Sequence, residues 1–193
     1  MIAIVCIIIA YLLGSLSAAI LLAKITNMPD PRSVGSKNAG ATNVLRTAGK
    51  HQAFVVLLGD IAKGVVAVLI ARLFGLEGFS LGLVATASVL GHIFPVFFKF
   101  KGGKGVATAL GALIALSFWM AIVCAIIWGL MLAIFRYSSL ASLTAIAASP
   151  FLLLFFSDSG YFVPQLITAG FVLYFHRANI ERLRNKTEPK VQF

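Results

Sequence analysis

The chain has very few acids. Of 193 residues only six are Asp or Glu, against sixteen Lys and Arg, while 60% are hydrophobic and 11% charged. At a mean hydropathy of +1.00 it could not hide its apolar surface in a soluble core, so it reads as an integral membrane protein. The net charge of +10 then becomes a question of which side of a bilayer carries it, and no nucleic-acid partner is implied. Its two cysteines, Cys6 and Cys124, lie inside apolar runs and read as small core residues without a disulfide or metal role. Three histidines scattered among positive loops cannot build a transition-metal site, and no cofactor is expected. Repeats of twenty to fifty residues, low-complexity segments and flexible linkers are also missing, which leaves one domain over residues 1–193 as the expectation. No basic stretch precedes the first apolar run, which argues against a cleaved signal peptide although Ser17 to Ala19 could mimic a cleavage site.

What is present is a series of apolar runs. Ile2 to Ala23 carries no charge and is about long enough to cross a bilayer. Others run from about His51 to Ala71, Phe79 to Phe98, Val106 to Leu116, Trp119 to Phe135, Ser139 to Phe156 and Tyr161 to Phe175. The stretch from Val106 to Phe135 makes either one over-long span or two short ones. Charge decides between them: with two spans, fourteen of the sixteen Lys and Arg fall on one side, Arg72 lies opposite and Lys63 sits inside a span. The expectation is an all-α integral membrane protein with seven transmembrane helices, N-terminus outside and C-terminus cytoplasmic. The polar and Gly-rich sequence then gathers on the cytoplasmic side, which suits an enzyme working at one membrane face better than a conduit.

The densest polar stretch is GHIFPVFFKFKGGKGVAT, Gly91 to Thr108. Backbone N–H groups freed by Gly102, Gly103 and Gly105 can approach an anion, Lys99, Lys101 and Lys104 supply charge, and a helix starting near Gly105 adds its positive dipole end. The run Gly-Gly-Lys-Gly is not the Walker pattern. A bland alternative is a basic loop that only sets topology. In the first loop, Thr42 and Arg46 share a face if Ala41 to Ala48 is a short helix, and Arg46 either grips a phosphate or snorkels to lipid headgroups. At the end of the last span, HRANIERL aims His176 and Asn179 the same way, while His176 and Glu181, five residues apart, diverge. Asp60 and Lys63, three apart inside a span, read as a structural ion pair in preference to a proton relay. Ser138 and Ser139 either donate to an anion or cap the next helix.

GSKNAGATNVLR, GHIFPVFFKFKGGKGVAT and HRANIERL together resemble the three signature motifs of the bacterial acyl-phosphate:glycerol-3-phosphate acyltransferase family, known as PlsY. The likeness extends from Gly14-Ser15 through Asp60, Lys63-Gly64 and Tyr137-Ser138-Ser139 to the tail. Two departures are visible: Lys37 and Lys186 stand where members usually have Gly, the second shortly before Glu188. The resemblance implies a seven-span, metal-free and cofactor-free protein of the bacterial inner membrane with its active site on the cytoplasmic side. It implies transfer of the acyl group of a fatty acyl phosphate to the 1-hydroxyl of sn-glycerol 3-phosphate, giving lysophosphatidate and inorganic phosphate at the start of phospholipid synthesis. Its partners would be those two substrates and membrane lipid; separately from the resemblance, a monomer is the expectation.

Carried over, the resemblance places Ser36, Asn38, Thr42, Asn43 and Arg46 from the first motif, and His92, Lys101, Gly102, Gly103, Lys104 and Gly105 from the second, around the substrate phosphates. His176 and Asn179, with Ser139, complete the pocket. Acyl phosphate is already activated, so the protein need only gather two anions, neutralise them and polarise the carbonyl. Lys104 and Arg46 are assigned to phosphate charge, Gly102 and Gly103 to backbone contacts, and Asn179 to orientation or the oxyanion. His176 serves either positioning or general-base work, and the proton acceptor is either His176 or a substrate phosphate. The rivals are a transporter or channel for a phosphorylated metabolite, coupled through Asp60 and Lys63, and a lipid-binding protein with a basic face.

Overall fold

Residues 1–191 are described by the computed structural model, and among them every regular element is helical. The helices are α1 (Ile2–Gly14), α2 (Ala18–Ile25), α3 (Ala41–Ala48), α4 (Lys50–Leu73), α5 (Gly78–Ile93), α6 (Val106–Leu116), α7 (Phe118–Phe135), α8 (Ser138–Phe156), α9 (Phe162–Phe175) and α10 (Arg177–Arg184). The apolar runs became helices almost residue for residue. The exceptions are the run from Phe79, whose α-helix stops at Ile93, and the first, which breaks into α1 and α2 with a bend of 43°. There Ser15 Oγ donates back to the Tyr11 carbonyl and Ser17 caps α2, so local side-chain bonds take over from the ladder. The long Val106 to Phe135 stretch also breaks, at Ser117, whose backbone is extended.

Four segments are long and apolar enough to cross a bilayer (α4, α5 with its following turn to Phe98, α7 and α8), and the bent α1–α2 pair makes a fifth. α6 and α9 are shorter; α6, with 11 residues, reaches only about 17 Å of a hydrocarbon core about 30 Å thick. The chain is a multi-pass membrane protein.

Small residues let the central helices approach closely, as expected where lipid removes the hydrophobic drive between them. A Cβ on Gly14 would lie 2.0 Å from the Ser88 carbonyl oxygen, and one on Gly91 would lie 2.2 Å from that of Tyr11, so α1 and α5 meet backbone to backbone. Gly64 and Gly111 do the same for α4 and α6. Inside, Thr86 Oγ donates to the Pro164 carbonyl (2.9 Å), Thr168 to Thr86 (3.0 Å) and Gln165 to Ser149 (2.7 Å), linking α9 to α5 and α8. α5 is the hub, with eleven of its sixteen residues buried. α7 is the opposite case: only Ala121 and Cys124 are buried, and its main neighbours are α6 and α8.

Both departures from the family pattern fall where the backbone is left-handed, Lys37 at φ 57° and Lys186 at φ 57°. At Lys186 the reason is visible: its N–H donates to the Leu183 carbonyl and that of Thr187 to Arg182, the double closure that ends a helix at a residue usually glycine. This turn folds the tail back toward the bundle. Lys186→Gly should therefore raise stability by about 0.5 to 1 kcal/mol, the relief of left-handed strain less the added freedom of the unfolded chain. Thermal unfolding in detergent reads it; an unchanged or lowered midpoint would count against the strain.

Candidate active site

A cavity of about 270 Å3 opens where α3, the α5–α6 loop, the start of α8 and the α9–α10 junction meet. It has two chemically distinct parts. Arg46, Lys104, Arg182, His176, Asn179 and Glu188 line a polar mouth, together with Ser36, Asn38, Thr42, Ser138 and Ser139. A branch lined by Leu57, Ile61, Leu110, Leu113, Trp128 and Ile146 leads away between α4, α6, α7 and α8. Leu57 on α4 and Ala125 on α7 line the cavity and are both exposed.

The first loop is shaped by a residue expected at the phosphate. Asn43 is 1% exposed, donates from Nδ2 to the carbonyls of Pro31 and Val34, and accepts at Oδ1 from the Ser36 N–H (2.8 Å). Its amide is occupied in holding the loop, so it positions Ser36 at the mouth. α3 does form over Ala41–Ala48, and it turns Thr42 and Arg46 to the cavity, with Thr42 Oγ 3.4 Å from Ser138 Oγ and Arg46 reaching the Pro189 carbonyl at 3.5 Å.

The Gly/Lys loop departs from the expected cradle. The N–H of Gly102 donates to the Ile93 carbonyl and that of Gly103 to His92, so neither aims at an anion. The loop needs glycine there for closeness: a Cβ on Gly102 would stand 1.9 Å from the His92 carbonyl oxygen. Lys99 and Lys101 are exposed and do not line the cavity, leaving Lys104 as the loop's cation at the mouth. Gly105, Val106 and Ala107, where α6 begins after Gly105 turns the chain at φ 88°, line the cavity, and the first amides of a helix have no partner within it. Tyr11, whose hydroxyl donates to the Phe94 carbonyl (2.7 Å), and Arg32, which donates to that of Phe98 (3.0 Å), pin the rest of the loop.

At the mouth a relay of hydrogen bonds orders the charges. Lys104 Nζ donates to Asn179 Oδ1, and Asn179 Nδ2 donates to Glu188 Oε1 (2.6 Å). Glu188 also accepts from Ser139 Oγ (2.7 Å) and Arg182 Nε (2.7 Å). Burial pushes the Glu188 carboxyl up, but the three donors and the Arg182 charge outweigh it and hold it below the usual range. Burial, helped by Arg182 and Arg46 and opposed by Glu188, lowers Lys104 to about 8. Burial and then the Lys104 charge lower His176 to about 4, against the pull of the Val172 carbonyl and Glu188. Glu188→Ala would leave buried Ser139 and Asn179 unpaired, so it should cost about 2 to 4 kcal/mol of stability. A thermal midpoint equal to that of the parent would show that the relay carries no such weight.

The glycerol-3-phosphate acyltransferase family model matches residues 4–186. The chain belongs to that family. A glycerol-3-phosphate acyltransferase of Coxiella burnetii (strain RSA 493 / Nine Mile phase I) is 52% identical over 189 residues, covering 98% of each chain. One of Neisseria meningitidis serogroup C (strain 053442) is 50% identical over 188 residues, covering 95% of this chain and 94% of the relative. Among solved structures, the glycerol 3-phosphate form of PlsY (YgiH), an integral membrane glycerol 3-phosphate acyltransferase, superposes with a TM-score of 0.93 at 41% identity, over 98% of this chain and 96% of that one. Its lysophosphatidic acid form gives 0.90 at 39% identity, over 98% and 95%.

In this acyltransferase, sequence reasoning placed Ser36, Asn38, Thr42, Arg46, Lys104, Gly105, Ser139, His176 and Asn179, all of which line the cavity. It missed Arg182, which lies inside the third motif, and left open Glu188, which lies past it. It missed the apolar branch altogether, because Leu57, Ile61 and Trp128 look like any other residues of a membrane helix. His92 lines the cavity, but its Nδ1 faces Lys63, not the mouth's cations.

Proposed function

We propose that this chain transfers the acyl group of a fatty acyl phosphate to the 1-hydroxyl of sn-glycerol 3-phosphate, releasing inorganic phosphate and lysophosphatidate. The observation that carries the reading is the cavity's joining of a cationic mouth to an apolar branch, which fits two phosphate groups and one acyl chain. Membership of the family supports the acceptor, and the glycerol 3-phosphate and lysophosphatidic acid forms of PlsY support acceptor and product. Arg46, Lys104 and Arg182 neutralise the two phosphates and hold them together against their repulsion. The N-terminal amides of α6 and Lys104 stabilise charge as the hydroxyl attacks the carbonyl carbon. The new ester C–O bond forms, the bond from carbonyl carbon to phosphate oxygen breaks, and His176 Nε2 takes the hydroxyl proton.

The test is purified protein in detergent given acyl phosphate and glycerol 3-phosphate, with phosphate and lysophosphatidate measured together. Equal release of both supports the reading. Absence of both sinks it and leaves transport of a phosphorylated metabolite as the alternative, which vesicle uptake would detect.

We further propose one domain, acting as a monomer, with seven spans, the N-terminus outside and the C-terminus and mouth cytoplasmic, in a bacterial inner membrane. The concentration of Lys and Arg at the mouth end supports the orientation. In intact cells, Lys101→Cys and Lys186→Cys should resist an impermeant thiol reagent and Glu77→Cys should label; labelling at position 101 would overturn the orientation. All three positions are exposed and the native cysteines are buried.

A further inference from the structure

We propose that Asp60, Lys63 and His92 form a positioning unit for the phosphate-binding loop: Lys63 fixes the tautomer of His92, and His92 sets the place of Gly103 and so of Lys104. The proposal rests on the reading of Lys104 as a phosphate ligand. All three side chains are buried, at 1%, 8% and 4% exposure, on the facing helices α4 and α5. Such groups are costly inside a membrane protein unless they are paired. Lys63 Nζ lies 2.9 Å from the Leu16 carbonyl at the α1–α2 break and 2.9 Å from His92 Nδ1, and it forms an ion pair with Asp60 Oδ1 at 2.9 Å, an oxygen that receives no well-aligned hydrogen bond. An ammonium has three protons to donate and accepts none, so Nδ1 must be the acceptor and the ring proton sits on Nε2. Asp60 Oδ1, 3.4 Å from Nδ1, acts by holding Lys63 charged and in place.

The other edge of the ring meets the loop. A Cβ on Gly103 would lie 2.1 Å from His92 Nε2 and 2.8 Å from the Ala39 carbonyl oxygen, so the loop backbone rests against the imidazole. The His92 carbonyl accepts from the Gly103 N–H (3.2 Å) and the Ile93 carbonyl from Gly102. His92 thus grips Gly103 from ring and backbone, one residue before Lys104. A pair that only tied helices together would not need this histidine.

Two measurements test the unit. The first is 15N NMR of histidine-labelled native enzyme in micelles, with the His92 signal identified by its loss in His92→Gln. A protonated Nε2 with an unprotonated Nδ1 supports the proposal; the reverse tautomer or an imidazolium overturns it, whatever any variant does. The second is the charge-neutral double variant Asp60→Asn/Lys63→Met, which leaves no lone buried charge. Its kcat/KM should fall by about 10- to 100-fold, the usual effect of a small misplacement of reacting groups. Adding Lys104→Ala should then cost much less than it costs the parent. A fall within twofold, or a full additional Lys104→Ala effect, would show that the unit is merely structural. If Lys104→Ala is silent in the parent, the phosphate-ligand reading fails instead. Should the double variant not fold, the tautomer decides alone.

Discussion

A His176→Gln enzyme should lose about a hundred- to ten-thousandfold of its turnover while still binding glycerol 3-phosphate. His176 is 4% exposed, and its Nδ1 lies 2.8 Å from the Val172 carbonyl oxygen. A carbonyl only accepts, so Nδ1 carries the proton and Nε2 keeps a lone pair at the mouth. With its pKa lowered to about 4 by burial and by Lys104, the ring is neutral at pH 7 and free to take a proton. Incoming phosphates pull the other way and make it a stronger base when substrate is bound. In the free enzyme, protonation of His176 should produce an acid limb of kcat/KM near pH 4, and this limb should vanish in the variant. Turnover within a few-fold of the parent, with the limb unmoved, would give the proton to a substrate phosphate oxygen and leave His176 a positioning role.

On the alkaline side, kcat/KM should fall as pH rises above about 8. Lys104 is the cause: its lowered pKa means that the ammonium is complete only below that value, and phosphate binding weakens as it deprotonates. Lys104→Ala should remove a charge-assisted contact worth about 1.5 to 3 kcal/mol, or about 10- to 150-fold in kcat/KM. Lys104→Arg separates charge from shape. An arginine stays protonated throughout, so the limb near pH 8 should disappear even if the bulkier planar guanidinium fits less well against Asn179 and lowers the overall rate. A limb that persists near pH 8 in the arginine variant would assign it to another group.

Much of the scaffold was legible because lipid demands it. A helix in hydrocarbon has to be apolar along its length, so the ends of α4, α7, α8 and α9 lie within a residue or two of the apolar runs. The α1–α2 break was not, since Gly14 to Ser17 is as uncharged as its surroundings and only hydrogen bonds to Ser15 and Ser17 distinguish it. The same division runs through the mouth. Thr42, Arg46, His176 and Asn179 could be placed by helical spacing alone. The use of Asn43 depends on carbonyls of Pro31 and Val34, that of Glu188 on Ser139 from another helix, and that of Gly102 and Gly103 on carbonyls at the end of α5. Those partners come from folding, and no local pattern names them.

The apolar branch of the cavity changes what concentration means for this enzyme. An acyl chain held in that branch is kept from water as it is in the leaflet, and moving between the two apolar surroundings avoids a transfer cost of about 0.8 kcal/mol for each methylene. On the proposed reading, the acyl donor is therefore counted as a share of the surrounding lipid and glycerol 3-phosphate as an amount per litre. The two substrates of one reaction obey different dilution laws: adding lipid at fixed volume thins the first and leaves the second untouched.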